Sequence, residues 1–406
     1  MSLDSKKCPL LSRCGGCMME SMTYSNEIHE KQSFMEDYLD KFQDVAPIIR
    51  METPYHYRTK VQAVFGHDRS GNIASGIYRR GTHMLIPVRS CLLEDEKCDE
   101  ILASIRKLIG AIGIMVYDED RQTGFLRHVL IKRSITTGQT MVVLVASSTR
   151  FPQKKEFVGN LVSLHPEITS IMLNRNADKT SMVLSEEPEV LLYGQSYIED
   201  DLLGLRFRIS AKSFYQVNPV QAKVLYQVAI KMAQLTGKEN VIDAYCGTGT
   251  IGLIAAKNGA YQVLGIESNP DAVADAKINA VENGVENVSF VCYDAGLRLK
   301  AMARDLNLLR SDPNSHLQFS AQLFHPDVVF MDPPRSGSTE QFLSALIRLA
   351  PLKIVYISCS VETLERDLRY ILDHSDYRVD GIQGVDMFPH TDHVECVVLL
   401  TKVQNL

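Results

Sequence analysis

The chain has 406 residues, 45% of them apolar, and a formal net charge of −6. At roughly 100–200 residues per domain this length predicts two or three domains of ordinary globular composition. The longest apolar runs, such as Met141 to Ala146 and Cys396 to Leu400, fall far short of the ~20 residues of a membrane helix. The N-terminus has no apolar signal core, and the acidic balance excludes a broad polybasic surface while leaving room for a local basic groove.

Nine cysteines in a chain of this size are no secreted disulfide framework, and predict a reduced, cytoplasmic protein. Cys8, Cys14 and Cys17 cluster near the start, with Gly15 and Gly16 between the last two. Glycines let a backbone wrap closely around an ion or cluster. A fourth ligand is wanted, and the next cysteine is Cys91, 74 residues beyond Cys17. Four thiolates suit either zinc or an iron–sulfur cluster, and spacing alone does not separate them. The spacing of radical-generating cysteine triplets is not met.

Residues 21–43 predict a helix through Ile28, Met35, Tyr38, Leu39 and Phe42. Residues 57–90 alternate between turns and read as a β-meander. Residues 95–113 predict an amphipathic helix, followed by strands Leu126 to Ser134 and Thr140 to Ser147, a helix over 152–164 and short strands to about Ile209. Residues 1–210 are thus expected to form an α+β, mostly antiparallel domain carrying the cysteine site. Arg58, Lys60, Arg79, Arg80, Arg127, His128, Lys132 and Arg133 stud its strand-like sequence. They make either solvated strand faces or a phosphate-contacting surface.

The second domain is expected over 211–406. After a helix at 219–236, strands begin at Asn240, Tyr261, Val288, Val328 and Lys353 and end at or beside Asp243, Glu267, Asp294, Asp332 and Cys359. Helices alternate with them, which predicts a doubly wound, mainly parallel α/β sheet. Residues 296–325 have helical and polar parts and no assignable place. In such a sheet reactive groups gather at the carboxyl ends of strands. Gly247-x-Gly249-x-x-Gly252 after the first strand is a nucleotide-binding signal, weak alone. Glu267 follows Gly247 by 20 residues, the interval of a ribose-binding acid, and a dinucleotide would satisfy both facts. Asp294 sits either near an adenine or at a helix cap. Cys359 lies at a strand-to-helix turn, as a reactive thiol or as a small buried residue.

Five stretches together resemble one family: Phe214-Tyr-Gln-Val-Asn218, Asp243-Ala-Tyr-Cys-Gly247, Asp332-Pro-Pro-Arg335, Ser358-Cys359 and Asp386-Met-Phe-Pro-His-Thr-Asp-His-Val-Glu395. They are similar to the RNA uracil-5-methyltransferases of the TrmA/RumA type, and the likeness covers most of the chain. It implies a class I Rossmann-like methyltransferase domain that takes S-adenosyl-L-methionine, with Gln216, Tyr245, Thr250, Glu267, Asp294 and Asp332 as contacts. It implies Cys359 as the nucleophile that adds to carbon 6 of uracil and Glu395 as the base that removes the carbon 5 proton. It also implies a [4Fe–4S] cluster on Cys8, Cys14, Cys17 and Cys91, as in the members acting on 23S ribosomal RNA. That tilts the expected partner to 23S rRNA, presenting a single-stranded loop or a flipped uridine to a monomeric enzyme with no membrane contact. Two features depart from the family. Many relatives begin with a small β-barrel RNA-binding module, for which this chain, starting almost at its first cysteine, leaves no room. Position 250 is Thr where some relatives have Asn.

Competing readings remain on the residues. The same chemistry on a tRNA uridine keeps every motif. Cytosine-5 enzymes commonly carry a second Cys in the loop that here reads Asp332-Pro333-Pro334. Amino-group methyltransferases normally follow the two prolines with an aromatic residue, where this chain has Arg335. An RNA-binding assembly factor would have no use for both Cys359 and Glu395.

Overall fold

The computed structural model describes residues 8–17, 22–79, 81–180, 182–311 and 324–403, and among them are two large sheets, one in each of two units, and a two-stranded one. The units interleave in sequence. One takes Met1–Tyr24, Thr53–Asp201 and Arg208–Pro219; the other takes Ser25–Glu52, Leu202–Phe207 and Val220–Leu406.

The first unit holds a seven-stranded sheet in the order Leu85–Pro87, Ile73–Tyr78, Lys60–His67, Leu126–Arg133, Thr140–Ala146, Ile168–Arg175, Val190–Gly194. Neighbours are antiparallel except Thr140–Ala146 with Ile168–Arg175. A parallel pair needs a crossover, and the helix Lys154–Leu164 supplies it. The helix Glu96–Ile112 starts where Asp95 accepts the N–H groups of Lys97 and Cys98, and it buries Cys98, Ile101, Leu102, Ile105 and Ile109 against one face. Leu130, Met141, Val143 and Met172 fill the other face. With both faces covered, several basic residues of these strands point into protein. Arg127 pairs with Glu119 and donates to the carbonyl of Asn176. Lys132 donates to the carbonyls of Ser210 and Ser213, and Arg133 pairs with Asp95. Burial pushes buried His128 down to about 4, and neighbouring Arg127 adds to the shift. A solvent-facing phosphate surface is therefore not what these four build. Arg80 lies outside the described residues.

The second unit holds an eight-stranded sheet in the order Val45–Ile49, Tyr377–Val385, Glu395–Lys402, Lys353–Ser358, Val328–Met331, Asn240–Ala244, Gln262–Glu267, Val288–Cys292. Five of these form the expected parallel run. Glu395–Lys402 runs antiparallel to both its neighbours. The N-terminal strand Val45–Ile49 pairs parallel with Tyr377–Val385, and its preceding helix, Tyr24–Leu39, buries Met35 and Leu39 in the same core. The approach is close: a Cβ at Gly384 would sit 2.6 Å from Met35 Sδ and 2.8 Å from Ile48 Cγ1. Part of the connection that the sequence left unassigned is the helix Ala295–Ser311; residues 312–323 lie outside the described ones. Among the described residues no helix is long and apolar enough to cross a membrane.

Candidate active site

A strand that runs antiparallel begins at the edge where its parallel neighbours end. This places Glu395, the first residue of Glu395–Lys402, at the carboxyl edge of the second unit's sheet. The register there ends by pairing Ser358 with Cys396, so Cys359 and Glu395 are the next residues at this edge, and Glu395 is near enough to act on the Cys359 thiol. Cys359 leaves its strand and enters a short turn before the helix Val361–Asp373, whose N-cap Ser360 accepts the N–H of Thr363. Ser358 Oγ braces the turn by donating to the carbonyl of Ser360 at 3.0 Å.

The electrostatics are those of crowded acids. Burial pushes the Cys359 thiol up to about 11, the Glu395 and Asp332 carboxylates add to the shift, and Arg335 opposes it. Burial likewise raises Glu395 to about 8, with Asp332 adding and Arg335 opposing. Asp332 itself, at the end of Val328–Met331, is raised to about 7 by burial. The thiol is therefore not held as a thiolate at rest, and must lose its proton in step with attack.

The Gly-rich turn lies two strands away. Tyr245 and Gly247 take left-handed backbone, with φ of 65° and 54°. The Tyr245 ring packs 5.2 Å from Phe342 and its hydroxyl lies 3.5 Å from Ser338 Oγ. Gly249 caps the helix Thr250–Lys257 with φ 80°, and a Cβ there would sit 2.6 Å from the Phe290 ring. Above Gly247 the space is open, with no atom within 4 Å of a built Cβ. Glu267 accepts the N–H groups of Gly247 and Asn269 at 3.1 and 2.8 Å, so its carboxylate is oriented by backbone and keeps lone pairs for a ligand. Thr250 opens its helix with its hydroxyl 3.4 Å from that of Thr248. Exposed Asp294 accepts the N–H of Leu297 at 2.8 Å and so caps the helix Ala295–Ser311. Gln216 belongs to the other unit, in the segment Arg208–Pro219. In that unit Phe214 is 65% exposed, whereas the Tyr215 hydroxyl is turned inward onto Asp200.

In the first unit, Cys8, Cys14, Cys17 and Cys91 line one cavity of about 370 Å³ together with Arg58, Lys60, Glu94 and Asp99. The N–H of Leu10 points at Cys8 Sγ, 3.4 Å away. A Cβ at Gly16 would sit 3.3 Å from Cys14 Sγ, so glycine is what lets the loop close there. Among the described residues no group of three or more His, Cys, Asp or Glu side chains is set to hold a metal ion.

The family model described as tRNA (Uracil-5-)-methyltransferase matches residues 23–403. The chain belongs to this family. A protein of Oceanobacillus iheyensis named as an uncharacterized RNA methyltransferase is 39% identical over 399 residues, covering 97% of this chain and 82% of the relative. One of Bacillus cereus with the same description is 36% identical over 404 residues, covering 98% and 83%. Among solved structures the fold is similar to that of the Pyrococcus abyssi tRNA (uracil-54, C5)-methyltransferase in complex with S-adenosyl-L-homocysteine, with a TM-score of 0.76 at 24% identity, over 98% of this chain and 88% of that one.

Three residues of this RNA methyltransferase escaped the sequence reading. Asp243 is wholly buried and accepts the N–H of Gly252 at 2.7 Å; its other oxygen has no protein partner, and burial raises it to about 8. Its place at a strand end before the glycines was the available signal. Asp367 accepts from Ser338 N–H and Tyr356 hydroxyl, both at 2.7 Å, and from Arg366, tying the Asp332–Ser338 loop to the helix after Cys359. An acid inside the apolar stripe Val361, Leu364, Leu368, Ile371 was its mark. Arg335 entered only as a non-aromatic residue, yet it is the positive charge felt by both Cys359 and Glu395.

Proposed function

We propose that this chain methylates carbon 5 of a uridine in 23S rRNA, using S-adenosyl-L-methionine, Cys359 as nucleophile and Glu395 as base. The placing of Cys359 and Glu395 at one sheet edge, one residue beyond the Ser358–Cys396 pair and close enough for the carboxylate to act on the thiol, carries the reading. Carbon 5 of uracil is a weak nucleophile. Addition of the Cys359 sulfur to carbon 6 pushes the ring electrons into an enolate and makes carbon 5 reactive. Adenosylmethionine, when bound, supplies an electrophilic methyl and a sulfonium charge. Glu395 then takes the carbon 5 proton, the ring double bond re-forms, and the carbon 6–sulfur bond breaks to return Cys359. The base must leave its stack to reach a thiol in a turn.

The residues suit that cofactor. Asp243, Glu267 and Asp332 form no ion pair among the described residues, one Asp243 oxygen is orphaned, and the face over Gly247 is open. Tyr245, Thr250 and Asp294 flank the turn; Gln216 stays in the proposal on the resemblance alone. For the cysteine site, Cys8, Cys14, Cys17 and Cys91 line one cavity; four thiolates suit a [4Fe–4S] cluster, which the family resemblance implies, or a zinc ion, though among the described residues their side chains are not gathered into a metal-holding group. The choice of rRNA over tRNA rests on the resemblance to cluster-carrying members. A second cavity of about 470 Å³, lined by Arg13, Arg69 and Arg79 with Asp68, supports RNA binding. Asp68 is committed to its own turn through the N–H groups of Ser70 and Asn72, which leaves the arginines for phosphates.

The test is methyl transfer from labelled adenosylmethionine to unmodified 23S rRNA fragments and to tRNA, with nucleosides identified by mass and Cys359→Ser in parallel. 5-Methyluridine in an rRNA fragment, made by the wild type alone, is expected. Label only in tRNA overturns the substrate assignment, and 5-methylcytidine overturns the chemistry.

A further inference from the structure

The helix Tyr24–Leu39 carries two charged side chains that the active-site chemistry does not use. Glu27 and Lys31 are one turn apart and are 0% and 3% exposed. Lys31 Nζ donates to Glu27 Oε1 at 2.8 Å, to Asp386 Oδ1 at 2.7 Å and to the carbonyl of Phe388 at 3.1 Å, which uses all three ammonium donors. Glu27 Oε1 also accepts the backbone N–H of His390 at 2.7 Å, and Oε2 lies 3.3 Å from His390 Nδ1. His390 is in left-handed backbone, φ 63°, a conformation that a non-glycine residue keeps only when its surroundings hold it.

All these partners lie in the loop joining Tyr377–Val385 to Glu395–Lys402. In the register of those strands Val385 pairs with Glu395, so Asp386 follows the residue directly across from Glu395. The loop's backbone is pinned at the same point: Asp386 N–H donates to the carbonyl of Ile49 at 3.0 Å, and Gln221 Nε2 donates to the carbonyl of Asp386 at 3.0 Å. Burying a lysine with two carboxylates is costly, and apolar packing of like volume would hold a loop at least as firmly. What the charges add is direction, because each bond fixes an atom in place. Burial alone would raise Glu27; the His390 hydrogen bond and the Lys31 charge hold it below its ordinary value, so Glu27 stays ionised. The Cys359 turn is braced separately, by Ser358 and Ser360.

We propose that Glu27 and Lys31 are positioning residues for proton removal by Glu395: they lock the Asp386–His390 loop and so aim the base, leaving thiol addition and methyl transfer to the independently braced Cys359 turn. This rests on the assignment of Glu395 as the base. Its consequence is specific. Loosening the clamp slows the last step only, so the methylated Cys359–RNA adduct accumulates.

The experiment compares wild type, Glu27→Gln, Lys31→Met and Glu395→Gln as full chains, with labelled adenosylmethionine and an RNA the wild type methylates. Turnover is measured beside the fraction of enzyme in a denaturation-resistant RNA adduct. Melting curves fix an assay temperature at which each variant is folded. A fall in turnover of roughly 10- to 100-fold, with adduct well above the wild-type level in both clamp variants, is expected; a merely structural role lowers turnover and adduct together. Adduct in Glu395→Gln but not in the clamp variants overturns the inference and leaves the base assignment standing. No adduct and normal turnover in Glu395→Gln overturns the base assignment and the inference with it. If Lys31→Met melts below the assay temperature, Glu27→Gln decides, because it keeps the volume and an acceptor for His390.

Discussion

Glu395 must be ionised to act, yet the fold raises its carboxyl to about 8 from an ordinary 4.5. About one-tenth of the enzyme then holds the carboxylate at pH 7 and about nine-tenths at pH 9. The adduct-resolving step should accelerate roughly tenfold across that interval and level off above it. The same shift has a stability cost. The folded chain binds more protons than the unfolded one between the two values, so this group's contribution is fully present below about 4.5 and is lost as pH rises through about 8. At about 1.4 kcal/mol per pH unit, the loss reaches roughly 3 kcal/mol by pH 7 and about 5 kcal/mol when complete. Glu395→Gln keeps the volume and removes the titration. Its melting temperature should therefore climb relative to wild type as pH rises from 5 to 9, while adduct resolution collapses. Calorimetry over that range, beside single-turnover adduct decay in the wild type, tests both halves. Adduct decay flat from pH 6 to 9 with parallel melting curves would refute the burial argument.

Other perturbations read other parts. Gly249→Ala adds a Cβ at φ 80°, 2.6 Å from the Phe290 ring and 3.1 Å from Ala276 Cβ; a loss of about 1–3 kcal/mol is expected from denaturant melts. Asp367→Ala leaves Ser338 N–H, the Tyr356 hydroxyl and Arg366 without their buried acceptor. It should cost about 3–5 kcal/mol, measured by the shift in unfolding midpoint. Replacing Arg13 and Arg79 together by Ala should weaken RNA binding and flatten its salt dependence, by about one unit of slope per lost phosphate contact; saturating RNA should restore turnover, as filter binding at several salt concentrations and kinetics together will show. Cys14→Ser should remove the iron–sulfur absorbance of anaerobically reconstituted protein, and a full retained spectrum would discard Cys14 as a ligand.

Periodicity made most elements legible. The helix over 95–113 is observed as Glu96–Ile112, and that over 152–164 as Lys154–Leu164. Local pattern does not say which sheet an element joins. The helix Tyr24–Leu39 read correctly as a helix, but its place in the second unit depends on partners as distant as Asp386, 355 residues from Lys31. Glu27, Lys31 and Met35 stand at successive fourth positions, so the charged pair shares a stripe with a core methionine; read alone, an i,i+4 Glu–Lys pair signals a solvated face. Arg127, His128 and Lys132 misled for the opposite reason. Charged residues in a strand suggest a wet face, and here packing on both sides of the sheet buried all three and made Arg127 and Lys132 internal donors.

The reversed strand explains why the base is so far in sequence from the glycine-rich turn. A purely parallel sheet offers only strand ends at its carboxyl edge, and each such end must turn outward into a connection. Asp332 and Cys359 sit on turns of that kind. Burial raises the proton affinity of Asp332 on its turn, to about 7. Glu395 instead starts a strand at that edge and is already held by ladder pairing to Val385. It is 5% exposed, which desolvates it and raises its proton affinity. A base that must take a proton from carbon needs that affinity. The topology thus supplies a buried, oriented carboxylate beside a nucleophile on a turn, and the clamp from Glu27 and Lys31 guards the one part of that arrangement which the sheet itself does not fix, the loop leading into the strand.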